Sequence, residues 1–336
     1  MNALLLGGGG FVGLAIAEAL LRRGARVTIA DRTAPPDGAL EALQALPGRI
    51  DVAIGDVRDP AYLDSLFAVA RDRVVWGAAI TADAARDAED PEGVIGINLA
   101  ALIPVLRRAR DTGVGRVLNL SSVAAYGEAA YEPAALAAGV MHETDRCEPI
   151  ALYGLTKFAT ERVVARLAGL WRLDALSVRL SSVFGPWERK TGMRDTPSPL
   201  FQIARLAARG EPARLAAPSR RDWVHSHDVA DAVVTLLEAP RPRHGLYNIS
   251  CGTRWSALDF AERLTRDVPA LDARLAQAGE APTVDIFGSR ERAALSIDRL
   301  AAEFDWRPRF AALDDALADY LAWQGAHRAY WSAATH

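Results

Sequence analysis

The sequence predicts an α/β chain: a doubly wound, mostly parallel sheet with a smaller second domain after it. Three observations predict it. Short apolar runs alternate with amphipathic helical runs as far as Arg179. A glycine run follows the first apolar run at once. Beyond Arg179 prolines cluster at Pro186, Pro197, Pro199, Pro212 and Pro218, and the alternation is lost.

Taken in order, Ala3–Leu6 is an apolar strand that stops at glycines. Phe11–Arg23 has helical periodicity and ends at Gly24, a C-terminal stop. Arg26–Ala30 is the next strand, closed by Asp31. Asp51–Ile54, Val74–Trp76 and Val117–Leu120 read as further buried strands, with helical segments near Ala61–Ala70 and Pro91–Asp111 between them. Ala151–Leu170 is a long helix and Ala175–Arg179 a sixth strand. In the looser region that follows, Trp223–Leu237 is a strand–helix unit, Leu246–Ile249 another strand, and helices run to Gln324. This reading gives residues 1–180 plus about 222–250 to the sheet domain. It gives about 181–221 plus 251–325 to a smaller, discontinuous C-terminal domain. A ligand is expected in the crevice between that domain and the C-terminal edge of the sheet. Ala39–Ala45 and Ala134–Ala138 are short alanine-rich stretches of helix or loop, and the segment after Gln324 reads as peripheral.

Half of the 336 residues are hydrophobic and 24% are charged, the composition of a soluble globular protein. The net charge of −3 offers no basic field for nucleic acid. Arginines alternate with acids along helices, as in Glu161-Arg162 and Glu262-Arg263, and read as solvated faces. The two cysteines, Cys147 and Cys251, form no disulfide framework or metal spacing, which fits a reducing cytoplasm. No signal peptide is seen, and no apolar stretch approaches the ~20 residues that span a bilayer. No membrane association is expected. His225 and His227 would share a face of a strand, but no third ligand is evident and no metal site is expected.

The glycines of Leu6-Gly7-Gly8-Gly9-Gly10-Phe11-Val12-Gly13 stand at the strand-to-helix junction in G-x-x-G-x-x-G spacing. Gly7 permits a tight turn, Gly10 lets the backbone approach a pyrophosphate, and Gly13 permits close helix–strand packing. The helix that begins at Phe11 and Val12 turns its free N–H groups and positive dipole end toward the phosphates. Asp31, 18 residues after Gly13, can accept hydrogen bonds from both ribose hydroxyls and would repel a 2′-phosphate. The cofactor expected is therefore NAD rather than NADP, although Arg32 next door is of the type that holds a 2′-phosphate. Asp56 and Val57, after the third strand, border the adenine on this reading; Asp56 reads equally well as a turn or helix-entry residue.

Tyr153 and Lys157 lie four apart on the long helix and share a face. A fixed positive charge favours the phenolate, so the pair is a candidate general acid/base for a hydroxyl or carbonyl group. The spacing alone is common. It gains weight from the glycine loop and from Ser121-Ser122 at the end of the fifth strand.

The chain resembles the extended short-chain dehydrogenase/reductases of the NAD-dependent epimerase/dehydratase group, from Met1 to about Gln324. The resemblance rests on Gly7–Gly13, Gly55-Asp56-Val57, Asn98, Ser121 to Gly127, and Pro149 to Lys157. It continues through Val183-Phe184-Gly185-Pro186, Arg221 to His225, Tyr247-Asn248-Ile249 and Asp305-Trp306-Arg307-Pro308. It implies a Rossmann-type sheet, a substrate-binding C-terminal domain and a homodimer formed through the helices after Asn98 and around Tyr153. By resemblance Tyr153 is the acid/base, and Lys157 binds the nicotinamide ribose and depresses the tyrosine's pKa. Ser122 hydrogen-bonds the reacting oxygen. Gly77, Ala78 and Ala79 run past the cofactor, Asn98 holds local backbone or water, and Ser121, Ser181 and Val183 line the cofactor site. Thr81, Ser182, Arg221 and Arg292 face the substrate, the two arginines toward a phosphate or other anion. Arg221 also suits a structural ion pair with Asp222 or Asp228.

Departures from the family pattern matter. Ser182 stands where nucleotide-sugar epimerases carry an Asn that touches the substrate diphosphate, Trp76 where a His is common, and Thr81 where some epimerases carry a Lys. Ala129–Met141 reads as an insert beside the substrate. The implied activity is NAD-linked oxidation of a secondary hydroxyl on a sugar or nucleotide-sugar. Hydride return makes an epimerase, and NADH release makes a sugar or sugar-acid dehydrogenase. A dehydratase is disfavoured by Val123-Ala124, where that group commonly carries acids. A non-catalytic NAD-binding regulatory protein is disfavoured by the retention of Ser122, Tyr153 and Lys157.

Overall fold

A computed structural model describes residues 1–286 and 290–335. Its centre is a seven-stranded sheet, whose strands we number β1 (Asn2–Leu6), β2 (Arg26–Asp31), β3 (Arg49–Ile54), β4 (Arg73–Trp76), β5 (Arg116–Ser122), β6 (Ala175–Leu180) and β7 (Leu246–Ile249). Every pairing is parallel and the spatial order is β7-β6-β5-β4-β1-β2-β3. The chain builds outward from β1 to β3, crosses back, and builds the other way from β4. The crevice above the carboxyl ends of β1 and β4 is thus the topological switch point.

Both faces of the sheet are apolar because successive residues of each strand point to opposite faces and helices cover both. Leu4, Leu6, Val74, Trp76 and Val117 meet Leu63, Leu66 and Phe67 of the Pro60–Phe67 helix and Val105 and Leu106 of the Leu102–Asp111 helix. Ala3, Leu5, Val27, Ile29 and Leu118 meet the Phe11–Arg22 and Ser226–Glu238 helices on the other side. That second cluster continues without a break through Phe184 to Phe260 and Tyr320. It therefore joins the sheet to the Pro199–Arg209, Ala257–Leu264 and Leu313–Ala326 helices.

Outside the sheet, Ser182–Phe184 pairs in parallel with Trp223–His225, and Ala213–Leu215 with Ala273–Leu275. The Ala129–Met141 segment is folded: a Pro133–Ala138 helix leads into Val140–Met141, which pairs with Ala294–Leu295. The segment after Gln324 is not peripheral, contrary to the sequence reading. Its Arg328–Thr335 helix buries Tyr330, whose ring lies 5.1 Å from Trp187 and 5.7 Å from Trp323, and whose hydroxyl donates to the Trp187 carbonyl at 2.7 Å. The partner ring is 143 residues away, so no local pattern announces the burial. Trp306 is buried and donates to Asp231 at 3.1 Å, as core packing requires. No described helix is long and apolar enough to cross a membrane.

Candidate active site

β1 delivers the chain into a turn that only glycine can make. Gly7 has φ +77°, and a Cβ there would lie 2.5 Å from the Ala78 nitrogen. A Cβ on Gly13 would meet the Gly8 and Gly7 carbonyls at 2.6 and 2.7 Å. Gly10 differs, since its Cβ would meet only the Gly7 carbonyl at 3.3 Å, leaving that side of the loop open. The Phe11–Arg22 helix starts there with no side-chain cap and no acid in its first turn. Phe11 and Val12 pack their side chains on the core while their backbone begins the helix.

Asp31 flanks the loop: one carboxylate oxygen accepts from the Gly9 amide at 3.0 Å and the other from the Arg32 amide at 2.7 Å. The Arg32 guanidinium reaches to 4.0 Å from Met193 Sδ. Arg189 donates to the Gly9 carbonyl at 2.8 Å, and its other terminal nitrogen is buried without a hydrogen-bond partner. An open glycine face and uncapped helix amides fit a pyrophosphate, and Asp31 fits an unphosphorylated ribose. Asp56 is engaged in a 2.6 Å ion pair with Arg58, which lowers its pKa to about 2. Val57 is buried in the core beside it.

Beyond β4, Gly77 donates to the Leu6 carbonyl at 2.8 Å, so Gly77, Ala78 and half-buried Ala79 run along the loop. Asn98 is fully buried. Its amide accepts from the Ile80 N–H at 2.7 Å, donates to the Ile80 carbonyl at 3.0 Å and to Thr156 at 3.1 Å. One side chain therefore fixes both the segment that follows β4 past the cofactor crevice and the helix that carries Tyr153.

That helix is Leu152–Trp171. Lys157 is buried, donates to the Leu120 carbonyl at 2.7 Å, and places its ammonium 5.7 Å from the Tyr153 ring centre. The Tyr153 hydroxyl lies close enough to Ser122 and Thr81 for both hydroxyls to favour its ionised form. Ser122, at the end of β5, also accepts from the Ala124 amide at 3.2 Å. Burial raises the Tyr153 pKa, and the two hydroxyls and the Arg194 charge pull it back down. Burial also lowers the Lys157 pKa to about 8, opposed by the charge of Glu161 one turn on. In this state burial, rather than Lys157, dominates the phenol.

Several predicted residues are committed elsewhere. Ser121 donates to Glu161 at 2.5 Å, and Glu161 forms a buried 2.6 Å ion pair with Arg179. Ser181 donates to the Asp222 carbonyl at 2.8 Å, and Val183 packs on the core. Arg292 donates to Ser182 at 2.8 Å and lies 3.3 Å from the Asp222 carboxylate, its Nε without a partner. Arg221 is buried nearby, and burial together with the Arg292 charge lowers its pKa. Asp228, the other ion-pair candidate, accepts the Arg309 and Phe310 amides at 3.0 Å.

Sequence reasoning missed Glu188, Arg189 and Arg194. Glu188 is buried and accepts from Ser198 and from Arg194, whose charge acts on Tyr153. The only signal was a charged run, Glu188-Arg189-Lys190, placed directly after the Gly185-Pro186 turn.

The profile of the NAD dependent epimerase/dehydratase family matches residues 3–250. The chain belongs to that family. Among its curated relatives is a dTDP-L-rhamnose 4-epimerase of Burkholderia thailandensis, 25% identical over 95% of this chain and 94% of the relative. Another is a dTDP-glucose 4,6-dehydratase of Streptomyces niveus, 24% identical over 98% and 95%. The fold is shared with a UDP-glucose 4-epimerase of Stenotrophomonas maltophila, solved with bound NAD and formylated UDP-arabinopyranose. That comparison has a TM-score of 0.80 at 24% identity and covers 98% of this chain and 99% of that one. Family and doubly wound α/β fold are thus as the sequence resemblance implies.

Proposed function

We propose that this family member is an NAD-dependent epimerase that inverts a secondary hydroxyl centre of a nucleotide-sugar. One observation carries the reading. Tyr153 has the Ser122 and Thr81 hydroxyls near its own and the Lys157 ammonium 5.7 Å from its ring centre, on the helix that Asn98 ties to the segment after β4. Residues 1–180 plus about 222–250 would hold the cofactor; about 181–221 plus 251–325 would hold the sugar. The cofactor, when bound, accepts a hydride from the sugar and can return it. In its ionised form Tyr153 would take the hydroxyl proton, becoming a phenol, and give it back on the return step, while Ser122 donates a hydrogen bond to the oxygen as it becomes a carbonyl. Lys157 keeps positive charge beneath that exchange.

The anionic half of the substrate has a matching surface. Arg221 and Arg292 are buried close enough for one to depress the pKa of the other. A diphosphate laid against them would relieve that repulsion. The serine at position 182 leaves the contact to Arg292 rather than to a side-chain amide. The curated relatives named for dTDP-sugars support the same class. Val123 and Ala124 beside Ser122 carry no acid, which favours epimerisation over elimination. A second copy would pair through the surface around Ile95 and Leu155, both exposed on neighbouring helices, and sedimentation velocity reads that state directly.

The deciding experiment incubates the protein with NAD and a panel of UDP- and dTDP-hexoses and follows sugar configuration by NMR. Inversion without net NADH is the expected result. Net NADH would move the reading to a dehydrogenase, and loss of water to a dehydratase. Tyr153→Phe should lower turnover about 10²- to 10⁴-fold while NAD affinity stays within about twofold. Full activity in that variant, or tight NAD binding with no turnover of any sugar, overturns the proposal.

A further inference from the structure

The histidines of Trp223-Val224-His225-Ser226-His227-Asp228 do not share a strand face, because the strand ends at His225 and the Ser226–Glu238 helix begins. The fold brings them a third donor instead. Asp319, on the Leu313–Ala326 helix, lies 92 residues away in sequence from His227. Its Oδ2 is 3.0 Å from His227 Nδ1 and 3.5 Å from His225 Nε2. One ligand atom from each of the three residues falls within 4.8 Å of the others.

The two Asp319 separations are close to those of a metal site, and the two histidine nitrogens, within 4.8 Å of each other, would draw in on binding. Zinc bonds nitrogen and carboxylate oxygen at about 2.0–2.2 Å in tetrahedral geometry, so neighbouring donors sit about 3.3–3.6 Å apart. His225 is fully buried and its Nε2 has no hydrogen-bond partner. Buried polar atoms are rarely left so. Gly185 leaves the space beside it, since a Cβ there would come within 3.0 Å of that nitrogen. The other nitrogen of His227 is buried without a hydrogen-bond partner too, and an acid stands opposite it. Its Nε2 faces Glu18 at 3.5 Å, and Glu18 is itself held by the Trp187 indole at 2.6 Å and by Arg22 at 2.7 Å. A carboxylate behind a ligand histidine, fixing the ring and its tautomer, is the usual support of a bound metal. Loading His225 through Nε2 moves its ring proton to Nδ1 and forfeits the contact from the His227 amide, which at 3.4 Å contributes little.

We propose that His225 Nε2, His227 Nδ1 and Asp319 Oδ2 bind one zinc-type divalent cation, with a water completing the tetrahedron. The site lies outside the Tyr153 constellation. It would join the Leu313–Ala326 helix to the start of the Ser226–Glu238 helix. Through Glu18 it would also reach the Phe11–Arg22 helix, whose first turn faces the cofactor crevice.

The test titrates the chelator-dialysed full-length protein with Co²⁺ and with Zn²⁺. Wild type should take up one Co²⁺ per chain, with the intense visible absorption of a tetrahedral ion, and Zn²⁺ should displace it. Asp319→Asn and His227→Gln should each weaken uptake about tenfold or more. Glu18→Gln should weaken it within the 10- to 100-fold range of supporting carboxylates. His142→Gln and His244→Gln should leave it unchanged. Circular dichroism and NAD binding establish that each variant is folded. Uptake by wild type no greater than by Asp319→Asn, or uptake indifferent to both ligand variants, overturns the proposal and leaves the cluster as a proton-bridged imidazole between two carboxylates.

Discussion

Lys157 carries its charge in a buried position, with the Leu120 carbonyl 2.7 Å away and Glu161 one turn along. Burial lowers its pKa from 10.5 to about 8. Between those values the unfolded chain keeps the proton and the folded chain does not, so folding becomes more favourable as pH rises through the window. The cost of the buried charge is full below pH 8 and gone above 10.5. Relative to Lys157→Met, wild type should therefore gain stability from about pH 8 upward, on the order of 3 kcal/mol across the window. Urea denaturation at stepped pH measures this, and parallel curves for the two proteins would rule it out. Such a buried charge is kept for the site rather than for stability. Tyr153 and Lys157 could be read directly from the sequence because their relation is local, one helical turn. Arg189 and Arg194 could not, because only the path of the loop after Pro186 brings them to Gly9 and to Glu188.

The glycine loop shows how an element divides its labour. At Gly13 a Cβ would collide with two backbone carbonyls, which cannot move aside, whereas at Gly10 it meets one carbonyl at 3.3 Å. Gly13→Ala should lower stability by about 1–3 kcal/mol, as overpacking against backbone does. Gly10→Ala should leave the melting temperature nearly unchanged and weaken NAD binding instead. Thermal denaturation with and without NAD separates the two outcomes, and equal loss of stability in both variants would count against this division. The strands were legible because each is a short apolar run bounded by glycine or a charge, and the structure extends none of them by more than two residues at either end. Val140–Met141 was not legible: its two residues pair with Ala294–Leu295, more than 150 positions on, and carry no periodicity of their own.

At the scale of the whole molecule, Trp187 holds the second half of the chain to the first. It is a non-glycine residue at φ +71°, a conformation that costs about 1–3 kcal/mol unless its surroundings enforce it. They do so here. Trp323, His327 and Tyr330 enclose the ring at 5.1 to 5.2 Å, and Glu18 accepts its indole N–H. Tyr330→Ala should lower stability by about 3–5 kcal/mol, the range for emptying a large aromatic site. It should also weaken NAD binding, because Glu188 and Arg189 follow Trp187 directly. Chemical denaturation and NAD titration check both, and a change under 1 kcal/mol would mean that the terminal helix is dispensable. The sequence reading placed this helix at the periphery because burial decided by rings 143 positions away leaves no trace in a local window. The order of the strands has a different consequence. β6 is flanked on one side by β5 and on the other by β7, which arrives only after the chain has wandered through residues 181–245. A chain stopped at residue 180 would bare the backbone amides and carbonyls of β6, beside the apolar Leu176, Val178 and Leu180, as a naked edge. Such a fragment is an invitation to self-association. The half of the protein that looks most self-sufficient in its sequence is the half whose sheet is left with an unpaired edge when it stands alone.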